Sequence, residues 1–564
     1  MATPPRSLVT HGLIGLAALF VLLGAVAGWR AHTSVPVWDM WGSLDFYTAL
    51  HEGAGWSAWW QQSNEHRIVL SRALFWMDYV WFGGKFAFLL VVNYLLALCN
   101  VAAFWAFLKA RAEPLSRAQL LGATACLCIW LLSWVQKENL SWPFQSQFFL
   151  SQLLPLLGLY CLFRATSEDG IGRWFAAACA LGVLSVGTMI NGVMALPMMV
   201  LYAAVMRMGW RRVAMLAVLA AVCVTVYMQG YATPPGHPRM LDTLRQQPLG
   251  MVQYTLQYLG GPFQFFTQQL YAHLWIGQCF GVLFVALFLV KLVPALRAPR
   301  SHALDLSLLA FIIYIAGIAF ATSGGRLPLG MGTALASRYT TPTLMAWAAL
   351  GVLYTPQLLA LRSRGKAVAA AVLIGLLAAM LAVQASDLKR NNIGHLRLTG
   401  ALALTLGVKD GQRVGMLVWD FNYAKNLVDK GLRDGAGVFG QPMLVDAVGA
   451  LGSHAEPLPA RCAGSIDAVR TLPEDPRFVA VSGTLFPDSQ TEPPSVRLAA
   501  PDGTIVGYGI PDRWRKVAAT DKDQAPAHKL TFTAYLRSEA MSTTVTLIAP
   551  GTACSVPVSV SATQ

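Results

Sequence analysis

Charged residues are scarce in this chain of 564 residues: Asp, Glu, Lys and Arg make up 12% of it, whereas apolar residues make up 55%. That charge content is about half of what soluble globular domains carry. Long apolar runs recur between Leu13 and Val383, and each approaches the ~20 residues that cross a hydrocarbon core of about 30 Å as a helix. The composition therefore excludes an ordinary soluble protein and predicts a polytopic α-helical membrane protein.

Several catalytic motifs are absent from the sequence. No GxxxxGK[ST] phosphate loop, HExxH zinc motif or GxSxG nucleophile elbow occurs. The sequence thus gives no support to nucleotide hydrolysis, a metalloprotease or an α/β-hydrolase triad. No cofactor is required by any motif, and although a divalent metal stays possible, no residue pattern supports one.

Cysteine is also informative by its placement, because most of the nine cysteines lie in apolar runs, where a thiol packs as a small apolar group. Cys126 and Cys128 do not have the spacing of metal ligands. Cys462 and Cys554 lie instead in the polar C-terminal part of the chain. If that part is exported, they are able to form a disulfide, which sequence alone leaves open.

The apolar runs predict about eleven membrane-spanning helices. They cover residues 13–29, 86–108, 118–135, 147–163, 174–189, 192–206, 213–229, 273–293, 304–322, 341–360 and 367–385. Ile68–Phe82 is predicted to be an interfacial or re-entrant helix, because it carries Arg72 and Asp78. A further crossing here would also move every later basic loop to the outer side of the membrane. Phe175–Met206 would be about 48 Å long as one helix, so two short helices are expected.

Basic residues cluster in the short loops, so the net charge of +14 is interpreted as a positive-inside pattern and not as a nucleic-acid surface. The chain is predicted to lie in a bacterial inner membrane with a cytoplasmic N-terminus. Residues 1–386 form the membrane domain, and residues 387–564 a periplasmic domain. Four longer loops share the outer side: 30–67, 136–146, 230–272 and 323–340.

The C-terminal domain is predicted to be soluble, with an α/β segment at 387–456 and a β-sandwich at 457–564. In the first segment, Arg413–Trp419 is predicted as a buried strand and Tyr423–Leu432 as a helix. Alternating runs predict the strands of the sandwich at Arg477–Val481, Ser495–Ala499, Lys529–Arg537, Thr543–Ile548 and Ser555–Val560.

The first outer loop holds the candidate catalytic carboxylates. Asp39 lies between Trp38 and Trp41, and a carboxylate among tryptophans at a membrane surface is poorly solvated, which suits it to accept a proton. Asp45 is the next candidate. The alternative for Asp39 is a turn or helix-capping aspartate beside an aromatic belt.

The triplet Glu65-His66-Arg67 ends the same loop. It offers a further carboxylate, a proton carrier and an anion-binding guanidinium. Neighbouring residues on a helix do not share a face, so these three need not act together. They are equally compatible with solvated residues at a helix entrance.

The later outer loops carry the candidate anion ligands. Lys137 precedes a helix that carries Ser151 and Gln152, which predicts a polar cleft or, alternatively, a polar turn. Arg326 and Arg338 lie on the side where the positive-inside rule disfavours arginine. Because a guanidinium binds phosphate oxygens in a bidentate manner, both are predicted phosphate ligands, with Tyr339 beside them, and a structural ion pair is the alternative.

This layout resembles the GT-C superfamily of membrane glycosyltransferases, which includes bacterial aminoarabinose transferases and protein O-mannosyltransferases. The resemblance covers most of the chain: an acidic first outer loop, about eleven crossings and a C-terminal outer domain. It implies that Asp39 is the catalytic base and that Arg338, aided by Arg67 or Lys137, binds the lipid-linked phosphate. The chain lacks an adjacent Asp-Glu pair in the first loop and a Trp-Trp-Asp signature, so subfamily, acceptor and metal use stay open.

The activity implied by the resemblance is inverting transfer of one sugar from a polyprenyl-phosphate donor. The acceptor would be a hydroxyl of a cell-envelope glycan such as lipopolysaccharide, of a lipid or of a protein, on the periplasmic face. An O-antigen polymerase or ligase is the second hypothesis. A transporter or an envelope scaffold is a third, which the absence of repeated halves disfavours.

Overall fold

The computed structural model describes residues 6–167, 171–234, 236, 238–267, 271–388, 392–455, 462–487, 489–516, 528–552 and 554–560. The chain divides into two units. The first unit comprises Met1–His32, Trp59–Leu74 and Ala87–Arg390, and the second comprises Thr33–Ala58, Phe75–Phe86 and Asn391–Gln564.

Helices dominate the part of the chain before the C-terminal sheet. The first ten are α1 (Arg6–Ala31), α2 (Trp41–His51), α3 (Trp56–Trp60), α4 (Val69–Phe82), α5 (Ala87–Lys109), α6 (Arg117–Leu131), α7 (Lys137–Ser141), α8 (Ser146–Ser167), α9 (Ile171–Val186) and α10 (Ala195–Val205). The others are α11 (Trp210–Met228), α12 (Met240–Gln246), α13 (Pro248–Phe266), α14 (Trp275–Arg297), α15 (Ala303–Arg326), α16 (Thr340–Leu359), α17 (Ser363–Gln384), α18 (Ile393–Leu406), α19 (Gly411–Val414), α20 (Phe421–Arg433) and α21 (Pro442–Ala450).

Eight helical segments among the described residues are long and apolar enough to cross a membrane, as a multi-pass membrane protein requires. They are Leu8–Ala31, Ala87–Lys109, Arg117–Ser141, Pro143–Thr166, Trp210–Met228, Trp275–Arg297, Ala303–Leu329 and Ser363–Gln384. The remaining predicted spans are helical too, as α9, α10 and α16. The predicted break in Phe175–Met206 is confirmed between α9 and α10. It lies at Gly192, where a Cβ would be 1.8 Å from the carbonyl oxygen of Ser185.

Helix α13 is a departure from the sequence prediction, which assigned residues 230–272 to an outer loop. This helix of 19 residues packs against α14. The approach is close because a Cβ on Gly260 would lie 1.8 Å from the carbonyl oxygen of Gly277. Buried Gln257 and Gln264 lower the hydropathy of the segment, which is why the apolar pattern did not show it. The predicted helix at Ile68–Phe82 is present as α4.

The second unit contains a seven-stranded antiparallel sheet of strand order β1-β2-β5-β4-β3-β6-β7. Its strands are β1 (Ala463–Thr471), β2 (Phe478–Phe486), β3 (Val496–Ala499), β4 (Ile505–Lys516), β5 (His528–Arg537), β6 (Thr544–Ala549) and β7 (Cys554–Ser559). The five predicted strands are therefore confirmed, and β1 and β4 are additional.

The sheet rolls up so that its two edge strands, β1 and β7, meet. A disulfide joins Cys462 to Cys554, and a Cβ on Gly464 would lie 2.9 Å from a methyl group of Val556. The predicted sandwich is thus one continuous sheet whose two halves face each other. Its interior is an apolar core that includes Val481, Phe532 and other buried side chains.

The segment predicted as α/β is helical in its described part, residues 392–455. The prediction of a strand at Arg413–Trp419 is wrong: the short helix α19 begins after Asp410, whose side chain accepts the backbone N–H of Arg413. The predicted helix at Tyr423–Leu432 is confirmed as α20, and Asp420 caps its N-terminus.

Candidate functional site

Arg338 is held by Glu138 in the first unit. The Arg338 guanidinium donates through Nη1 to Oε1 of Glu138 at 2.8 Å, and the Arg338 backbone N–H donates to Oε2 at 3.2 Å. One carboxylate thereby fixes both the backbone and the side chain of the arginine. Glu138 is itself fixed, because its backbone N–H donates to Oγ of Ser337 at 3.2 Å.

Asn139 anchors the loop that carries Arg338. Its side-chain amide donates to the backbone carbonyl of Arg338 at 2.9 Å and to Oγ1 of Thr341 at 2.6 Å. Asn139 is fully buried, so these bonds join α7 to the start of α16 away from solvent. The position of Arg338 is therefore determined by two elements that are distant in sequence.

Arg326 forms a second arginine–glutamate pair at the C-terminus of α15. Its Nη2 donates to Oε1 of Glu65 at 2.9 Å, and the two side chains are only 28% and 23% exposed. Thr333 closes the loop behind it, since its hydroxyl donates to the backbone carbonyl of Arg326 at 3.1 Å. The hydroxyl of Tyr254, from α13, lies 3.2 Å from that of Thr333.

His66 connects the two pairs electrostatically. Burial lowers the pKa of its ring to about 4, and the charges of Arg326 and Arg338 act in the same direction, while Glu65 opposes them. The ring is therefore neutral near pH 7, and its buried Nδ1 has no hydrogen-bond partner in the described part of the structure. We call Glu65, His66, Glu138, Arg326 and Arg338 the arginine cluster.

Aromatic side chains border the arginine cluster. The guanidinium carbon of Arg338 lies 5.3 Å from the ring centre of Tyr339, within the range of a cation–π contact. Tyr339 stacks on Tyr258 of α13, with ring centres 5.3 Å apart. Tyr339, which the sequence predicted beside the phosphate ligands, thus lies between Arg338 and Tyr258 of helix α13 and contacts both.

Arg67 is separate from the cluster despite adjoining His66 in sequence. It is buried, and its guanidinium donates to the backbone carbonyls of Trp60, Tyr227 and Gln229 at 2.5–3.0 Å. With three nitrogens bound to carbonyls, this side chain ties the loop to the end of α11. These bonds are those of a structural anchor, and the role of Arg67 as a phosphate ligand stays a prediction.

Lys137 also has a local partner. Its Nζ lies 3.0 Å from Oδ2 of Asp387, which accepts the indole N–H of Trp134 at 2.9 Å as well. Burial opposes ionisation of Asp387, but the hydrogen bonds from Trp134 and Lys137 lower its pKa below the usual value. Both charged side chains are about half exposed, which makes this pair a surface link near the end of α17.

Asp39 and Asp45 belong to the second unit. Asp39 is exposed in a 3-10 turn, Trp38–Met40. Asp45 lies on α2, and burial together with the charge of Asp45 raises the pKa of Tyr423. The structure thus groups Glu65, His66, Arg326 and Arg338 in one unit and the two predicted aspartates in the other.

Buried Asn and Gln side chains surround the second of the predicted outer loops, residues 136–146, in the first unit. Several have a buried side-chain oxygen without a hydrogen-bond partner in the described structure: Asn93, Asn139, Gln145, Gln147 and Gln152. Such a group costs about 1–3 kcal/mol relative to a bonded one. This loop is the one for which the sequence predicts a polar cleft.

Two members of this arrangement were not predicted as site residues: Glu138 and Asn139. Glu138 could have been predicted from the sequence. A half-buried arginine requires an opposite charge nearby, and Glu138 lies next to Lys137, which was already a predicted site residue. Asn139 carries no such signal. Among the described residues, no group of three or more His, Cys, Asp or Glu side chains is arranged to hold a metal.

Comparisons with known proteins give one structural similarity. No protein-family model matches the chain, and no curated protein sequence matches it. Among solved structures, it is similar to the archaeal oligosaccharyltransferase AglB from Archaeoglobus fulgidus, in complex with an inhibitory peptide and a dolichol-phosphate, with 11% identity and a TM-score of 0.40. The match covers 71% of this chain and 59% of that one, so less than two thirds of that protein's length is represented.

The fold class of the present chain, a helical membrane part followed by a C-terminal antiparallel sheet, rests on its own helices and strands.

Proposed function

We propose that this protein is a membrane glycosyltransferase that takes a sugar from a polyprenyl-phosphate donor, and that the arginine cluster binds the phosphate of that donor. The observation that carries the proposal is the presence of two arginine–glutamate pairs beside a neutral, partly buried histidine. They lie at the ends of apolar helices, where a lipid-linked phosphate would be presented. The bacterial inner membrane and its periplasmic face are the proposed location.

The chemistry of the cluster suits a phosphate. A guanidinium has five N–H donors, and each arginine contacts its glutamate through one nitrogen. The glutamates hold Arg326 and Arg338 charged and oriented before any ligand binds, so little reorganisation accompanies phosphate binding. Charge-assisted hydrogen bonds to phosphate oxygens are roughly twice as strong as neutral ones.

The proposed reaction is one displacement at the anomeric carbon of the sugar. A carboxylate accepts the proton of the acceptor hydroxyl, whose oxygen forms a bond to that carbon. The bond from the carbon to the phosphate oxygen breaks, and its electron pair stays on the polyprenyl phosphate. Arg326 and Arg338 stabilise this developing charge. The acceptor is a hydroxyl of a glycan, a lipid or a protein.

Three carboxylates are candidates for the base. Glu65 lies in the arginine cluster itself, whereas Asp39 and Asp45 are proposed from the sequence and belong to the second unit. The phosphate assignment and the base assignment are thus separate parts of the proposal. Each has its own test.

The phosphate assignment is tested by binding of undecaprenyl phosphate to the full-length protein in nanodiscs, with undecaprenol as the uncharged probe. Arg338→Ala and Arg326→Ala are each expected to weaken binding of the phosphate by about tenfold or more, since a hydrogen bond to a charged group contributes about 1.5–3 kcal/mol. Arg245→Ala, an exposed arginine on α12, is the matched control and should bind as the wild type does. Equal affinity of both cluster variants and the control would refute the assignment.

The base assignment is tested by transfer of a radiolabelled sugar from undecaprenyl phosphate to a membrane acceptor fraction. Three amide variants are compared: Glu65→Gln, Asp39→Asn and Asp45→Asn. The variant that still binds undecaprenyl phosphate but no longer transfers the sugar identifies the base. Retention of full transfer by all three variants would contradict the proposed mechanism. A product ladder of repeating units, in place of one added sugar, would indicate a polymerase.

A further inference from the structure

Two Trp-Asp dipeptides that are distant in sequence meet on the surface of the second unit. Trp38-Asp39 precedes α2, and Trp419-Asp420 precedes α20. The two indole rings are 5.2 Å apart and nearly perpendicular, at 73°. Trp419 is 87% exposed and Trp38 is 42% exposed, and both aspartates are exposed as well.

The backbone holds this pair in place. Trp38 has a φ of +54°, a left-handed conformation that non-glycine residues rarely adopt. Its backbone N–H donates to the carbonyl of Leu417 at 2.7 Å, and the indole N–H of Trp41 donates to the same carbonyl at 3.1 Å. The two dipeptides are therefore fixed relative to each other before anything binds.

An indole that is almost fully exposed is unusual, because burying an aromatic ring removes about 150–250 Å² of mostly apolar surface from water. Trp419 contacts Trp38 edge to face, an arrangement that leaves ring faces uncovered. The side chain is thus available to a ligand that stacks on aromatic faces.

The neighbouring charges indicate which ligand fits. A sugar ring presents C–H groups to an aromatic face and hydroxyl groups around its edge, and carboxylates accept hydrogen bonds from hydroxyls. Insertion into lipid fits less well, because Asp39 and Asp420 would be brought to the bilayer with the rings and a buried carboxylate is costly.

We propose that Trp38 and Trp419 form a glycan-binding platform, on which a sugar ring stacks while Asp39 and Asp420 accept hydrogen bonds from its hydroxyls. This binding does not rest on the proposed transfer reaction, since it requires neither polyprenyl phosphate nor turnover. It gives the second unit a function of its own, which is to hold a glycan.

The platform is tested by saturation-transfer NMR on the full-length protein in nanodiscs, with N-acetylglucosamine, chitobiose and methyl β-glucoside as probes and without undecaprenyl phosphate. Trp419→Ala is expected to weaken binding of at least one probe by roughly fivefold, given that an aromatic contact contributes about 0.5–1.5 kcal/mol beyond its area. Trp56→Ala, which removes another exposed tryptophan (72%) of the same unit, should leave binding unchanged.

A second variant separates binding from folding. Asp420→Asn keeps the side-chain oxygen that caps α20 and removes the charge, so it should weaken sugar binding by about twofold to threefold with an unchanged circular dichroism spectrum. The proposal is overturned if none of the three probes binds the wild type, or if Trp419→Ala and Trp56→Ala bind equally. It is also overturned if brominated lipids quench the fluorescence that Trp419 contributes, which would identify a membrane anchor.

Discussion

Two regions of the molecule differ in how completely their buried polar groups are hydrogen-bonded. In the second unit, the fully buried Asp410 accepts from the hydroxyl of Tyr535 at 2.8 Å, from Arg470 at 2.5 Å and from the backbone N–H of Arg413 at 3.2 Å. In the first unit, amides such as Gln147 are equally buried but leave an oxygen without a partner among the described residues. Both carboxylate oxygens of Asp410 are therefore hydrogen-bonded, whereas Gln145 and Gln147 each keep an unpaired oxygen among the described residues.

Asp446 of the second unit is hydrogen-bonded in the same way as Asp410, although Asp78 and Asp434 of that unit each have a buried oxygen without a partner among the described residues. Asp446 accepts two bonds from Arg497 and one from Tyr508, all between 2.8 and 2.9 Å. These bonds join α21 to the sheet. We infer that Asp410 and Asp446 stabilise the packing of the second unit, whereas the unpaired amides around residues 136–147 of the first unit are arranged for water or a ligand.

Loss of the disulfide should have the largest effect on stability. Cys462 and Cys554 are 92 residues apart, and a cross-link that closes a loop of this length stabilises by roughly 4–5 kcal/mol in the chain-entropy view. The double variant Cys462→Ser/Cys554→Ser should lower the free energy of opening of β2 and β5 in the full chain, measured by hydrogen exchange. Replacing the two free cysteines Cys126 and Cys128 by serine is the control, and equal losses would contradict the prediction.

Asp410→Ala should be the next most destabilising change. Removing one partner of a buried charged network costs about 3–5 kcal/mol, and here it also leaves the buried hydroxyl of Tyr535 unpaired. Hydrogen exchange in β1 and β5 should accelerate accordingly. Asp502→Ala, which alters an exposed turn, should have little effect, and an equally small effect of Asp410→Ala would contradict the prediction.

Acid should destabilise the first unit through His66. The folded pKa of about 4 lies below the unfolded value of about 6.5, so the unfolded chain binds more protons in this interval. The contribution is fully present above pH 6.5 and is lost as the pH falls towards 4, by roughly 2–3 kcal/mol at pH 4.5. Thermal unfolding between pH 8 and pH 4.5 should show this loss for the wild type and for His273→Gln, an exposed control, but not for His66→Gln.

Gln147→Met should have the smallest effect. Because its side-chain oxygen has no partner, an apolar replacement should change the unfolding free energy by less than about 1 kcal/mol. Gln136→Met is the matched comparison, since this buried amide donates to Leu131 and accepts from Thr341 and should cost about 1–3 kcal/mol. Similar costs for the two variants would mean that the side-chain oxygen of Gln147 is bonded, as that of Gln136 is.

Hydropathy and alternation predicted the elements with a strong pattern. The predicted spans are all helical, and five strands were recognisable because apolar residues alternate in them. Strand β4 escaped prediction because Gly507, Gly509 and Pro511 interrupt its pattern. Helix α13 was not predicted because its buried glutamines and glycines face α14. The sequence alone does not show that this polar face is buried.

The candidate site was predictable in part. Arg326 and Arg338 stood out because the positive-inside rule disfavours them at their positions, and the structure groups them electrostatically with His66. The glutamate that holds Arg338 was not proposed, because pairing between loops depends on tertiary contacts. Asp39 and Asp45 were expected with the arginines, but membership of a unit is determined by packing, and Thr33–Ala58 packs with the C-terminal part of the chain.

The meeting of β1 and β7 has a consequence for aggregation. An open sheet presents two rows of unpaired N–H and C=O groups, on which strands of another molecule can pair. Within the described sheet β1 and β7 are not hydrogen-bonded to each other, but the link between Cys462 and Cys554 holds these two edge strands together, so that neither separates easily from its neighbouring strand. In a reduced chain the two edge strands would be free to separate from the sheet, and the inner strands β2 and β6 would then offer unpaired backbone groups to another molecule.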